Sequence, residues 1–166
     1  MDEKSSYPPF PKVSFGQALG IGLAAGFAGV AALTVSNKLE QLITHRPNSY
    51  VPGHTTGNLL GLSRDRHPDV LNHFHHWGTG IIAGPVRALM SYYGIIGPFA
   101  SYVFTFIRLG LDQTLENTAG TSAPPWTWPI NEQVIDLLHK GIYALVTGYI
   151  TDRLVRGVTY FNNSDW

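Results

Sequence analysis

The chain has 166 residues, enough for one domain. Its formal net charge is zero and only 13% of its residues are charged, about half the share usual in soluble proteins, so it has no basic footprint for nucleic acid and no such partner is expected. It has no cysteine, which excludes disulfides, thiolate metal sites and a cysteine nucleophile.

Mean hydropathy is close to zero, but the average hides a sharp segregation along the chain. Residues 1–12, "MDEKSSYPPFPK", are polar and proline-rich and read as a flexible tail. A secretory signal is not expected there, because acids stand beside the lysines and no small-residue cleavage site closes the next apolar run. From Val13 to Asn37 there is no charge at all: "VSFGQALGIGLAAGFAGVAALTVSN". Crossing the hydrocarbon of a bilayer takes roughly 20 apolar residues, so a first span is predicted near Phe15–Val35, with Lys38–Thr44 extending the helix beyond it. Gly22, Gly26 and Gly29, with Ala18 and Ala25, make a small-residue face suited to close helix contact in lipid. That face is expected to meet another helix, within the chain or in a homodimer. A buried helix of a soluble core is the alternative, disfavoured because each Gly costs roughly 1 kcal/mol relative to Ala in a water-exposed helix.

Residues 38–72 form a polar connection. Within it "HRPNSYVPGHT" reads as a loop and "TTGNLLGL" as a short interfacial helix. The next stretch divides at Gly97-Pro98, a helix-breaking pair, giving helices over about 73–96 and 99–116. A last helix runs over about 131–156, started by Pro129 and Asn131. The expected fold class is therefore all-α: a transmembrane bundle of four helices with a polar loop after the first. Residues 13–156 form a single membrane domain and 157–166 a polar C-terminal tail. Which membrane and which orientation are not legible. Lys4, Lys12, Arg153 and Arg156 on one side balance Lys38, Arg46, Arg64 and Arg66 on the other, so the positive-inside bias is null.

Ionisable groups inside spans are costly and usually face the bundle interior in pairs. Arg108, Asp112 and Glu116 follow one another at four-residue spacing and share a helix face. Glu132, Asp136 and His139 fall at i, i+4 and i+7 of the last helix, again one face. The two stripes are expected to meet in the bundle interior, with Lys140 pointing elsewhere, up to the interface. Three readings stay open. Arg87 and Arg108 neutralise the carboxylates in a packing network; the charges snorkel to the interface; or the groups form a site for a small ligand or proton. In the last case Glu116, Asp136 and His139 are the candidates for acid-base chemistry, and Arg87, Arg108, Asp112, Glu132, Trp126 and Trp128 the candidate binding residues. His73 and His76 share a face and are the weak candidates for a metal. They read better, with Trp77, as headgroup anchors, since the chain has a single His cluster and one Asp-x-x-His pair. No metal and no cofactor are expected. Gly-x-Ser-x-Gly, phosphate-loop and dinucleotide fingerprints are all missing, so whether the chain is an enzyme is left open.

Trp126 and Trp128 suit a membrane interface, and the prolines of "APPWTWP" hold an extended approach to the last helix. This entry, together with "HWGTGIIAG" and "TLENTAGTSAPPWTWPINEQVIDLLHKGIYALVTGYITDRLV", resembles small uncharacterised multi-pass membrane proteins of the bacterial YagU-like inner-membrane family. The positions that carry the likeness are His76, Trp77, Gly78, Pro124, Pro125, Trp126, Pro129, Glu132, Gln133 and His139. The resemblance implies an integral membrane protein in contact with the lipid bilayer and transfers no reaction. The expected function is binding of a small ligand or proton in a polar core; the alternative is a membrane-embedded enzyme acting on a lipophilic substrate.

Overall fold

The computed structural model describes residues 10–62 and 67–158. The outer parts of both tails, and Arg64 and Arg66, lie outside the described residues. Among the described residues every regular element is helical: α1 (Phe15–Thr44), α2 (Val51–Leu59), α3 (Pro68–Tyr92), α4 (Gly97–Thr118) and α5 (Ile130–Thr151). A single 3-10 turn, Pro125–Thr127, precedes α5, and a π-helical turn, Asp152–Arg156, continues it. The expected helices are all present with shifted ends. Asp69 at the first turn of α3 and Pro at its start extend that helix back to Pro68. The expected loop at Val51–Thr55 is helical, because Pro52 sits where a helix start tolerates it.

Ser14 starts α1 with a capping box: its hydroxyl accepts from the Gln17 N–H, and the Gln17 side chain accepts from the Ser14 N–H. Helix α1 then packs chiefly on α3 and α5, while α4 packs on α5 and α2 covers the start of α3. Side-chain partners fix the directions. Gly22 lies against Pro85 and Thr34 against His76, so α1 and α3 are antiparallel. Gly80 pairs with Tyr143 and Arg87 with Asp152, so α3 and α5 run parallel. The four long helices thus alternate up and down.

The small-residue face of α1 is used within the chain. A Cβ on Gly22 would stand 2.5 Å from the Cα of Pro85, and one on Gly26 would stand 2.8 Å from the carbonyl oxygens of Gly80 and Ile81. Pro85 has no N–H to offer Ile81, so that carbonyl, released from its helix, lies against the Gly26 backbone. Gly29 packs on Tyr143 and Thr147 of α5.

The bundle is layered along its axis. The middle holds the apolar cluster Val30, Leu33, Ala83, Phe104, Tyr143 and Ala144. Polar layers lie on either side of it. Outside, large apolar side chains are exposed on every long helix: Phe27 and Val35, Ile82 and Val86, Tyr102 and Phe106, Leu138 and Leu145. Among the described residues one helix, α1, is long and apolar enough to cross a membrane.

Candidate functional site

The first polar layer sits where α3 ends and α4 begins. Arg87 donates from Nη1 to Asp152 Oδ1 at 2.9 Å and from Nη2 to Asp152 Oδ2 at 2.8 Å, and neither side chain is exposed. The Ser91 hydroxyl donates to Asp152, and Ser101 accepts from Arg87. Asp152 also accepts the N–H of Gly97 at 2.9 Å. That N–H is one of the orphan donors of a helix start, so α5's continuation supplies the anionic cap that α4 lacks in its own sequence. Arg156 closes the layer on the Ser91 and Tyr92 carbonyls. Of the readings the sequence left open, the pairing of Arg87 with Asp112, Glu116 or Asp136 does not occur: its carboxylate is Asp152. Asp152 takes Arg87 because the parallel run of α3 and α5 puts these two residues at one level.

The second polar layer lies about 20 Å away along α5, thirteen residues at 1.5 Å each. It surrounds a cavity of about 400 Å³ between α1, α3, α4 and α5. Arg108, Asp112, Glu116, Glu132, Asp136, His139 and Lys140 all lie on its wall. Asp112 is the hub. It pairs with Arg108 on its own helix and with Lys140 Nζ at 3.5 Å across the gap between α4 and α5. Lys140 in turn holds both Asp136 oxygens at 2.5 and 2.6 Å. Arg108 also donates to the Thr79 hydroxyl and lies over the Tyr143 ring, its guanidinium carbon 5.6 Å from the centroid.

Two expectations are corrected at this point. Lys140 does not rise to an interface: it is 7% exposed and bridges α5 to α4. It stands four residues after Asp136, so it shares that residue's face even though it follows His139. His139 does not turn to α4. Its Nδ1 is 2.7 Å from Ser36 Oγ and its Nε2 is 3.7 Å from a Glu40 oxygen, both on α1. Among the described residues the ion pairs that tie Asp136 to α4 run through Lys140.

The rim is built by the polar connections. His45 ends α1 in the left-handed region (φ 56°) and swings Arg46 back along the helix. Arg46 donates to Glu40 from Nη2 at 2.9 Å and from Nε at 3.3 Å, and to Asn37. The Arg46 guanidinium, then the Thr44 hydroxyl, hold the Glu40 carboxyl down to about 2. Trp128 lines the cavity and donates its indole N–H to the Ala123 carbonyl, whereas Trp126 is 80% exposed. A second cavity of about 360 Å³ adjoins the first, sharing Asn37, Arg46, Ser49, Pro52 and His76. His73 is exposed on its wall, and His76 bonds Thr34 at 2.9 Å, so the two do not converge. Among the described residues no three His, Asp or Glu side chains stand close enough to hold a metal ion.

Sequence reasoning missed Asp152, His75, Thr79 and Glu40. Asp152 had a readable signal, a carboxylate one residue past Thr151 on the stripe Tyr143, Thr147, Thr151. His75, whose Nδ1 lies 2.9 Å from Thr56 Oγ1, had none, because its partner lies on a separate short helix and no local spacing shows that this helix packs on α3. No family model matches this chain, and neither a curated protein nor a solved structure is similar to it.

Proposed function

We propose that this chain is an integral membrane bundle of four spanning helices that binds a small ligand in the cavity between α1, α3, α4 and α5. The observation that supports the membrane is an inverted distribution of polarity. Among the described residues, polar and charged side chains outnumber hydrophobic ones in the buried set, while large apolar side chains cover the outside. Small residues and paired charges inside, with apolar residues outside, is the arrangement lipid favours. Only 39% of the most apolar window of α1 is buried, which fits a helix facing lipid better than one sealed in a soluble core. The kinship with YagU-like membrane proteins belongs to the same proposal.

The observation that supports ligand binding is the convergence of ten ionisable groups on one cavity of about 400 Å³, within the size range of small-molecule sites. A network serving packing alone would close that space. Carbonate washing of membranes tests the first half: retention in the pellet is expected, and release into the supernatant would overturn it. For the second half, filling the cavity by Ile135→Trp should abolish saturable ligand-induced stabilisation and leave the folded protein in the membrane. An embedded acid-base enzyme is a second reading, favoured by Glu116, Asp136 and His139 sharing that wall. It requires turnover of a lipophilic substrate that Glu116→Gln removes.

A further inference from the structure

The charge balance of the cavity is uneven. Each of its cations already has a carboxylate of the protein: Arg46 has Glu40, Arg108 has Asp112, and Lys140 has Asp136 and Asp112. Glu116 and Glu132, on the same wall, have no ion pair among the described residues. Glu116 is half-buried; Gln113 Nε2 is 3.5 Å from it, the Ser122 hydroxyl bonds it, and Lys140 acts on it through space without forming an ion pair. A carboxylate partly withdrawn from water calls for a positive charge.

An independent feature stands beside it. His139 is 4% exposed and lines the cavity; its Nε2 makes no hydrogen bond, and the nearest acidic oxygen, of Glu40, stands 3.7 Å away. Arg108, 6% exposed, likewise has an unpartnered Nε–H. Buried nitrogens of this kind are rare in folded proteins; Arg87 Nε is another, but those of Arg108 and His139 belong to residues of the cavity wall, where a ligand can reach them. The tautomer of His139 depends on which atom donates in its contact with Ser36, so Nε2 either accepts or donates. A hydroxyl serves both cases, and it also accepts from Arg108. The rest of the lining, Leu33, Ile135 and the Trp128 ring, is apolar or aromatic and suits a short alkyl chain or an ammonium face.

We propose that the cavity binds a small amino alcohol, its ammonium against Glu116 and its hydroxyl on the orphaned nitrogens of the wall. This rests on the reading of the cavity as a ligand site in a membrane protein. Such a group has two sources, a free amine and the ethanolamine headgroup of a lipid, with its phosphate ester oxygen in place of the hydroxyl.

The test uses the full chain and thermal melts in two arms. In maltoside micelles, ethanolamine is titrated against sodium acetate at constant ionic strength. In nanodiscs, phosphatidylglycerol is compared with a mixture containing phosphatidylethanolamine. Expected is a saturable rise of roughly 5 °C at roughly a hundred times Kd, in the micelle arm for a free amine or in the nanodisc arm alone for a lipid headgroup. Glu116→Gln should lose the rise, and Asp69→Asn should keep it. If Glu116→Gln does not fold, the wild-type arms decide. Stabilisation by acetate and not by ethanolamine or its lipid would overturn the ligand class and leave the cavity a ligand site. No saturable shift with any of these probes would overturn the ligand class and count against the site as well.

Discussion

Arg87 and Asp152 are fully buried and joined through both terminal nitrogens and both oxygens, at 2.9 and 2.8 Å. The pair ties α3 to α5, and through the Gly97 N–H it ties both to the start of α4. Removing one partner leaves a buried charge uncompensated, a loss of about 3–5 kcal/mol. Asp152→Asn should therefore lower the melting temperature strongly in detergent. Arg87→Lys should not substitute for the original, because an ammonium lacks the planar fork whose two nitrogens meet the two carboxylate oxygens side by side while also reaching Ser91 and Ser101. The double change Arg87→Met with Asp152→Leu should recover most of the loss. A double variant no better than Asp152→Asn alone would show that the layer matters through its geometry rather than its charge balance.

Gly26 rests directly on the Gly80 and Ile81 carbonyls. Any side chain there pushes against backbone, which cannot move aside as a flexible side chain can. Gly26→Leu should separate α1 from α3 and reduce stability by about 3 kcal/mol or more, at the upper end of overpacking effects. Gly20→Leu is the matched control, since a Cβ at Gly20 meets nothing within 4 Å. Melting both in detergent checks the contrast, and equal effects would refute it.

What the sequence revealed and what it hid follow from the range of the signals. Uncharged length, glycine spacing and helix breakers are local, and they placed all four long helices and the small-residue face of α1. The stripe Arg108, Asp112, Glu116 was legible for the same reason. Which stripe meets which is not local. Spacing set His139 near the face of Asp136, yet at 100° per residue three positions leave it about 60° round the helix, and that offset turns His139 to α1. Lys140 was misplaced because adjacency to His139 was weighed above its four-residue spacing from Asp136. Arg87 found Asp152 because α3 and α5 run parallel, and no window of sequence carries that fact.

Glu40 supplies a pH dependence with a definite sign. Its carboxyl sits at about 2 in the folded chain, against an ordinary 4.5, through the Arg46 guanidinium first and the Thr44 hydroxyl second. Between those values the unfolded chain binds a proton that the folded chain does not. Its contribution is thus complete above pH 4.5 and fades as the pH falls toward 2. Melts from pH 6 to 2.5 should show a steeper acid decline for wild type than for Glu40→Gln. Parallel curves would remove Glu40 from the account.

The same logic separates the carboxylates of the cavity wall. Asp112 is buried and meets two cations, Arg108 on its own helix and Lys140 on the next. Asp136 is more open, with 29% of its side chain exposed, and it meets Lys140 alone. Neutralising Asp112 leaves Arg108 with Thr79 and the Tyr143 ring, and Lys140 with one carboxylate where it had two. Neutralising Asp136 leaves Lys140 still held by Asp112, and partial exposure lets water replace part of the contact. Asp112→Asn should therefore cost about 3 kcal/mol or more, Asp136→Asn about 1 kcal/mol or less, and Asp69→Asn, in the exposed first turn of α3, about 0.5 kcal/mol. The order is the prediction, and urea or thermal unfolding in one detergent measures it. An Asp136→Asn loss equal to that of Asp112→Asn would mean that Lys140 draws its stability from α5 alone, and the bridge between α4 and α5 would have to be given up.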